Sequence, residues 1–392
     1  MSLRVDGYAL SRELERFPGT LFAVCLALLG VSLVALHSAS LTPDGGSLGY
    51  AARQAGWAAA GLLGFFACSQ VPYDRLGRRS WLFMGVGLVA LALVLVVGTK
   101  VNGARSWFSL GPVRLQPSEF VKYALVLLLA RTVARRGAGI ATWTGLGEAA
   151  LLTGVPVGLV LLQPDLGTAL TYLPIVGAIV FAAGARLTHL ATIALAGLSC
   201  LPVAWLFFLK EYQKLRILSF LDANEHSLGG AYQVTQSVIA VGSGGFLGRG
   251  LGQGTQGPLG FLPERHTDFV FAVVCEDFGL LGGIVVLGLY GQLLGALLEI
   301  VRTTRDPEGR LIVVGVAAIT LVQVVINVGM VLGVMPVTGL PLPLVSYGGS
   351  SLVATLCGFG LCASVARNRT RVFVPGGGEG GLKPGLRLAC AV

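Results

Sequence analysis

Charge is what this chain has least of. Only 12% of its 392 residues are Asp, Glu, Lys or Arg, against roughly 25% in soluble domains. A soluble globular fold is therefore excluded. The seven cysteines do not supply a disulfide framework or a metal-ligand spacing, because six of them (Cys25, Cys68, Cys200, Cys275, Cys357, Cys362) lie inside apolar windows and Cys390 is near the end of the chain. Alternating segments of about ten residues, the mark of an outer-membrane barrel, are missing as well. No internal repeat is visible, which argues against a transporter built from two related halves. The first apolar window has no Ala-x-Ala-like cleavage site, Ala39-Ser40 being a weak candidate, so it reads as a retained helix rather than a signal peptide.

What is present is apolar residue in long runs. Hydrophobic residues make up 54% of the chain, in windows close to the ~20 residues that an α-helix needs to cross a bilayer core. The expected fold is all-α, a polytopic inner-membrane protein with about ten spans near 17–38, 53–71, 80–98, 119–133, 146–162, 167–184, 188–209, 269–301, 311–334 and 345–366. Residues 1–371 form one membrane domain, and 372–392 read as a disordered tail. An even number of spans puts both termini on one side. That side, with the loops near 75, 135, 186 and 305, holds most of the 28 Lys and Arg, so it is cytoplasmic. The net charge of +9 suits anionic partners without implying nucleic acid.

With that orientation every conspicuous polar stretch faces outward, including a large extracytoplasmic loop at 210–268 between spans seven and eight. Eight glycines fall between Gly242 and Gly257, and the segment is expected to be a flexible loop that contacts substrate. Its Gly252-Gln253-Gly254-Thr255-Gln256-Gly257 matches G-x-G-x-x-G but has no preceding strand and no βαβ context, so it is not a dinucleotide site.

The loop ends in Leu262-Pro263-Glu264-Arg265-His266-Thr267-Asp268 and runs into an apolar helix. Thr267 and Asp268 suit a helix cap. A carboxylate partly desolvated at a membrane surface also suits a general base, and Glu276-Asp277 place further ionisable groups about two turns into the span. A second cluster joins Arg105-Ser106-Trp107 to Gln116-Pro117-Ser118-Glu119-Phe120-Val121-Lys122. Glu119 and Lys122 are i,i+3 neighbours able to pair, while Arg105 and Lys122 could face an anionic headgroup. In Gln163-Pro164-Asp165-Leu166-Gly167-Thr168 the aspartate reads as a helix cap, and Asn327 inside the ninth span requires a hydrogen-bond partner.

These motifs, with Asn102-Gly103-Ala104-Arg105 and Pro343-Leu344-Val345-Ser346-Tyr347-Gly348-Gly349-Ser350-Ser351, occur in the order found in the SEDS family of shape, elongation, division and sporulation proteins. The chain resembles that family from its first span to about Arg369. Gly254-Thr255-Gln256, Pro263-Glu264-Arg265-His266 and Asn327-Val328-Gly329-Met330 look more like its RodA branch than its FtsW branch.

The resemblance implies a peptidoglycan glycosyltransferase that polymerises lipid II at the outer face of the membrane during cell-wall elongation, beside a class B penicillin-binding protein that crosslinks the strands. It maps the family's essential aspartate onto Asp268 and its motif lysine onto Lys122. Arg105, Glu119, Arg216, His266, Ser346 and Ser350 complete the expected substrate-binding set, and a divalent cation, Mg or Mn, is a further candidate for neutralising the leaving pyrophosphate; no metal site is evident. Two positions depart from the pattern: Gly260 stands where many relatives are acidic, and Asp277 where they carry a second glutamate. A lipid II flippase, a division-type polymerase and a non-catalytic scaffold are the rival readings.

Overall fold

The computed structural model describes residues 17–41, 49–101, 104–111, 113–207, 213–214, 218, 220, 230–256 and 260–369. Arg216, residues 210–212, 215–217, 219, 221–229 and 257–259 of the expected loop, and the 372–392 tail lie outside them.

Helices stand over each of the ten expected spans: α1 (Gly19–Ser40), α2 (Gly49–Gln70), α4 (Ser80–Val97), α5 (Pro117–Arg136), α6 (Trp143–Leu162), α7 (Leu166–Ala182), α8 (Leu187–Phe207), α10 (Val270–Thr303), α11 (Pro307–Val331) and α12 (Gly349–Arg367). Two shorter helices, α3 (Tyr73–Arg78) and α9 (Gly230–Ser243), join them. Six of the ten, α1, α4, α6, α10, α11 and α12, are long and apolar enough to cross a membrane, and the apolar stretches of α7 and α8 are shorter. The chain is a polytopic helical membrane protein.

Burial differs widely among the apolar helices. The most apolar window of α4 is 22% buried, whereas that of α12 is 78% buried. The centre is occupied instead by α5, a helix carrying Glu119, Lys122, Arg131, Arg135 and Arg136. Most of its residues are buried against α4, α11, α12, α6 and α7. Glu119, Lys122 and Arg131 are buried, which is tolerated where such groups face protein and find partners. Near the C-terminal end of α5, Arg131 donates to both Glu308 carboxylate oxygens at 3.1 Å and approaches Asp74, tying α5 to α11 and α3.

Small residues set the tightest packing, as expected where lipid leaves little hydrophobic drive between helices. On α2, a β-carbon at Gly61 would meet Leu356 and one at Gly64 the Cys357 Sγ; on α12, one at Gly360 would meet the Phe65 backbone.

Two stretches differ from the sequence expectation. Between α4 and α5, where no strand is expected from the sequence, β1 (Thr99–Val101), β2 (Ala104–Leu110) and β3 (Val113–Leu115) form an antiparallel sheet. The Gly-rich segment, expected as a flexible loop that contacts substrate, is held to the protein by backbone bonds. It is stitched to a break in α10, where Gly279 adopts φ 67° and ψ −162°. The carbonyls of Glu276 and Asp277 accept from the N–H groups of Arg249 and Gly250, both at 3.0 Å, while Leu280 and Leu281 donate to Gly245 and Phe246 at 2.9 and 3.3 Å. A broken helix in a membrane must pair its freed backbone groups. The glycines let one backbone come close enough to do it, since a β-carbon at Gly244 or Gly248 would collide with the Cys275 or Asp277 carbonyl.

Candidate active site

Asp268 closes a tight turn rather than capping α10. The cap position belongs to Phe269, which makes no side-chain cap bond. Glu264, in the left-handed region at φ 51°, turns its carbonyl to accept from both Thr267 N and Asp268 N at 3.1 Å. The turn leaves Asp268 half-buried at the start of the buried first half of α10.

The walls around Asp268 come from α11 and the segment that follows it. Asn327, fully buried near the C-terminal end of α11, donates through Nδ2 to the Asp268 carbonyl at 2.9 Å and to the Leu340 carbonyl at 2.8 Å. Gly339, at φ 74°, lies so close that a β-carbon on it would be 3.6 Å from Asp268 Oδ2. The neighbouring Thr338 carbonyl rests on Gly167, where any β-carbon would run into it. The 336–340 segment thus lies between Asp268 and the start of α7.

At that start Asp165 does cap its helix. Its Oδ1 accepts from Thr168 N at 3.1 Å and its Oδ2 from Thr168 Oγ1 at 2.8 Å, with Gln116 Nε2 also reaching Oδ2 at 3.2 Å. Burial pushes the Asp165 carboxyl above its ordinary range, against the lowering pull of the Thr168 bonds; Glu119 raises it further and Lys122 opposes that. One turn into α5, Lys122 Nζ meets Glu119 Oε1 at 2.8 Å, both side chains being buried. The i,i+3 pairing expected from sequence is formed. Asp165, Glu119 and Lys122 therefore make one electrostatic cluster, and Asp268 stands on the other side of the 336–340 segment.

The remaining expected residues divide. His266 is adjacent to Asp268 and stacks on Tyr50, ring centroids 4.4 Å apart, with Tyr347 5.9 Å away. Burial lowers its pKa below the usual 6.5, so at neutral pH the ring is chiefly uncharged. Ser346 Oγ accepts from Leu342 N, and its carbonyl takes a hydrogen bond from the buried Gln54. Ser350 Oγ donates to the Arg114 carbonyl and accepts from Gln116 N. Both hydroxyls hold backbone in place. Arg105 turns away from the cluster, its Nη1 donating to the Leu95 and Val96 carbonyls at 3.1 and 3.3 Å at the end of α4, where a cation suits the helix terminus.

The carboxylates inside α10 also hold backbone. Glu276 Oε1 accepts from Thr255 N at 2.6 Å and Gln256 N at 2.8 Å, and Asp277 interacts with Ser38 and the Gly252 N–H. The sequence reading overlooked Tyr50 and Gln54, an aromatic and a polar residue that gave no motif signal on their own.

Among the described residues no group of three or more His, Cys, Asp or Glu side chains could hold a metal ion.

Comparison with known proteins covers nearly the whole chain. Residues 19–371 match the family model for FtsW, RodA and SpoVE, described as cell cycle protein. The chain is 38% identical over 355 residues to the peptidoglycan glycosyltransferase MrdB of Escherichia coli K12, covering 89% of this chain and 93% of that one. It is 36% identical to the stage V sporulation protein E of Bacillus subtilis 168, covering 88% and 96%. A chain from a structure of a peptidoglycan synthase complex, concerned with coordination of polymerization and crosslinking, superposes with TM-score 0.78 at 41% identity, covering 91% and 99%. The rod-shape-determining protein RodA of Thermus thermophilus gives 0.67 at 37% identity, covering 90% and 97%.

Proposed function

The chain belongs to the FtsW, RodA and SpoVE family, and from that membership we infer that it is a peptidoglycan glycosyltransferase, polymerising lipid II during cell-wall elongation. What carries the reading to particular residues is the meeting of the family-like motifs around Asp268: the 262–268 turn, Asn327, the 336–350 segment, Asp165 and the Glu119–Lys122 pair.

In the proposed reaction Asp268 takes the proton from a sugar hydroxyl of the acceptor as that oxygen attacks the anomeric carbon of the donor. The new glycosidic C–O bond forms, the bond from that carbon to the pyrophosphate oxygen breaks, and the lipid pyrophosphate leaves with the bonding electrons. One direct displacement inverts the anomeric centre. A positioned base contributes about 10²- to 10⁴-fold. Pyrophosphate is a good leaving group and needs cationic stabilisation more than a strong acid, a task assigned to Lys122. Arg105 is not assigned that task, because its Nη1 donates to two carbonyls at the end of α4. No step is routed through a divalent cation.

The site faces the outer side, both termini are cytoplasmic, and the partner is a class B penicillin-binding protein, supported by the likeness to the synthase-complex chain. Labelled lipid II given to the purified chain together with its transpeptidase tests the reading. Glycan strands in detergent, where no bilayer exists to be crossed, are expected; transbilayer movement of lipid II in vesicles without any polymer would instead make the chain a flippase.

A further inference from the structure

We propose that Asn327 is a positioning residue for the reaction, fixing the Asp268 carboxylate against the 336–344 segment. The inference rests on the reading of Asp268 as the base and adds what holds that base in place.

Three observations carry it. Asn327 is fully buried in α11, where an amide without partners is costly. Its Nδ2 bridges two backbone carbonyls from distant parts of the chain, those of Asp268 and Leu340. Its Oδ1 has no partner among the described residues, so the two bridging bonds alone set the orientation of the side chain. The amide must point its nitrogen inward, because the reverse orientation would set oxygen against two carbonyl oxygens.

The consequence is geometric. Leu340 follows Gly339, on which a β-carbon would be 3.6 Å from Asp268 Oδ2. Asn327 therefore ties the Asp268 backbone to the wall beside its carboxylate. A helix supplies a firmer anchor than the turn at 264–268 could alone. Loss of the bridge frees the turn from the wall, and a misplacement of about 1 Å costs on the order of 10²-fold in rate.

The test uses the full chain with its transpeptidase and labelled lipid II, comparing Asn327→Ala, Asn327→Asp, Asn327→Ser and Asp268→Asn at equal folded yield. Asn327→Asp keeps the size but, ionised, replaces two donations with repulsion. Asn327→Ser keeps one short donor and guards against a misfolded alanine variant. The expected result is a fall in kcat of about 10- to 100-fold for Ala, a larger fall for Asp and a smaller one for Ser, with KM for lipid II within about threefold of wild type. Combining Asn327→Ala with Asp268→Asn should lower the rate no further than Asp268→Asn alone, since both act through one group.

Wild-type kcat in Asn327→Ala or Asn327→Asp, with Asp268→Asn inactive, overturns the positioning role and leaves the base standing. A raised KM at unchanged kcat overturns it too, placing Asn327 in substrate binding or general structure. Activity retained in Asp268→Asn overturns the base, and with it this inference.

Discussion

Two segments between helices of this chain are rich in residues that break regular structure, and they do opposite things. The glycine-rich stretch at 242–256 is bonded into the break in α10 at Gly279, with backbone pairs on both sides and the Glu276 carboxylate taking two more N–H groups. The proline-containing stretch at 336–348 instead lies between Asp268 and the start of α7, with Gly339 against the carboxylate and Thr338 on Gly167. The first segment is a brace and the second is a wall of the site. Glycine content does not separate the two, since in both places a missing β-carbon permits close approach. What separates them is the group approached: a backbone carbonyl in one and the candidate base in the other.

The largest effect that sharpens this contrast is expected beside the wall, at Lys122. Lys122→Ala should abolish polymerisation and also lower stability by about 3–5 kcal/mol, because it leaves Glu119 buried without its partner. The double variant Lys122→Met with Glu119→Gln separates the two losses. It should recover the melting temperature but make no strands, as followed by thermal unfolding and lipid II assay; full activity in it would remove Lys122 from the chemistry.

Next in size is a matched pair of glycine substitutions. Gly339→Ala places a methyl group about 3.6 Å from Asp268 Oδ2 in a left-handed backbone conformation, and kcat should fall roughly tenfold. Gly248→Ala also has positive φ, but its methyl would strike the Asp277 carbonyl, so folded yield and melting temperature should fall while kcat of the folded fraction stays within about twofold. The reverse pattern would exchange the roles given to brace and wall. The smallest effect is expected at Arg105→Ala, within about twofold of wild-type polymerisation, because the guanidinium serves the end of α4.

The positions of the helices were legible because a membrane span writes itself as a long apolar run. The Glu119–Lys122 pair was legible from its i,i+3 spacing, and the Asp165 cap from an acidic residue before an apolar helix. The sheet at 99–115 was harder to see, its strands being short, although Asn102-Gly103 is a hairpin signal in the sequence. The contacts of Arg105 at the end of α4 were not legible because its partners are backbone carbonyls, which no side-chain pattern reveals. Asp268 looked like a cap because the residue type suits one, but the left-handed Glu264 closes the turn one step earlier. The bridge made by Asn327 links residues 59 and 13 positions away, so the sequence shows the need for a partner without showing which.

The central claim is that Asp268 is the base that makes glycan strands. The direct measurement is polymerisation of labelled lipid II by wild type and Asp268→Asn, each with the transpeptidase and at equal folded yield. The account predicts strands from wild type and a rate at least about 10²-fold lower from the asparagine variant, which keeps the shape of the side chain but cannot accept the proton. Equal polymer from the two proteins would contradict it.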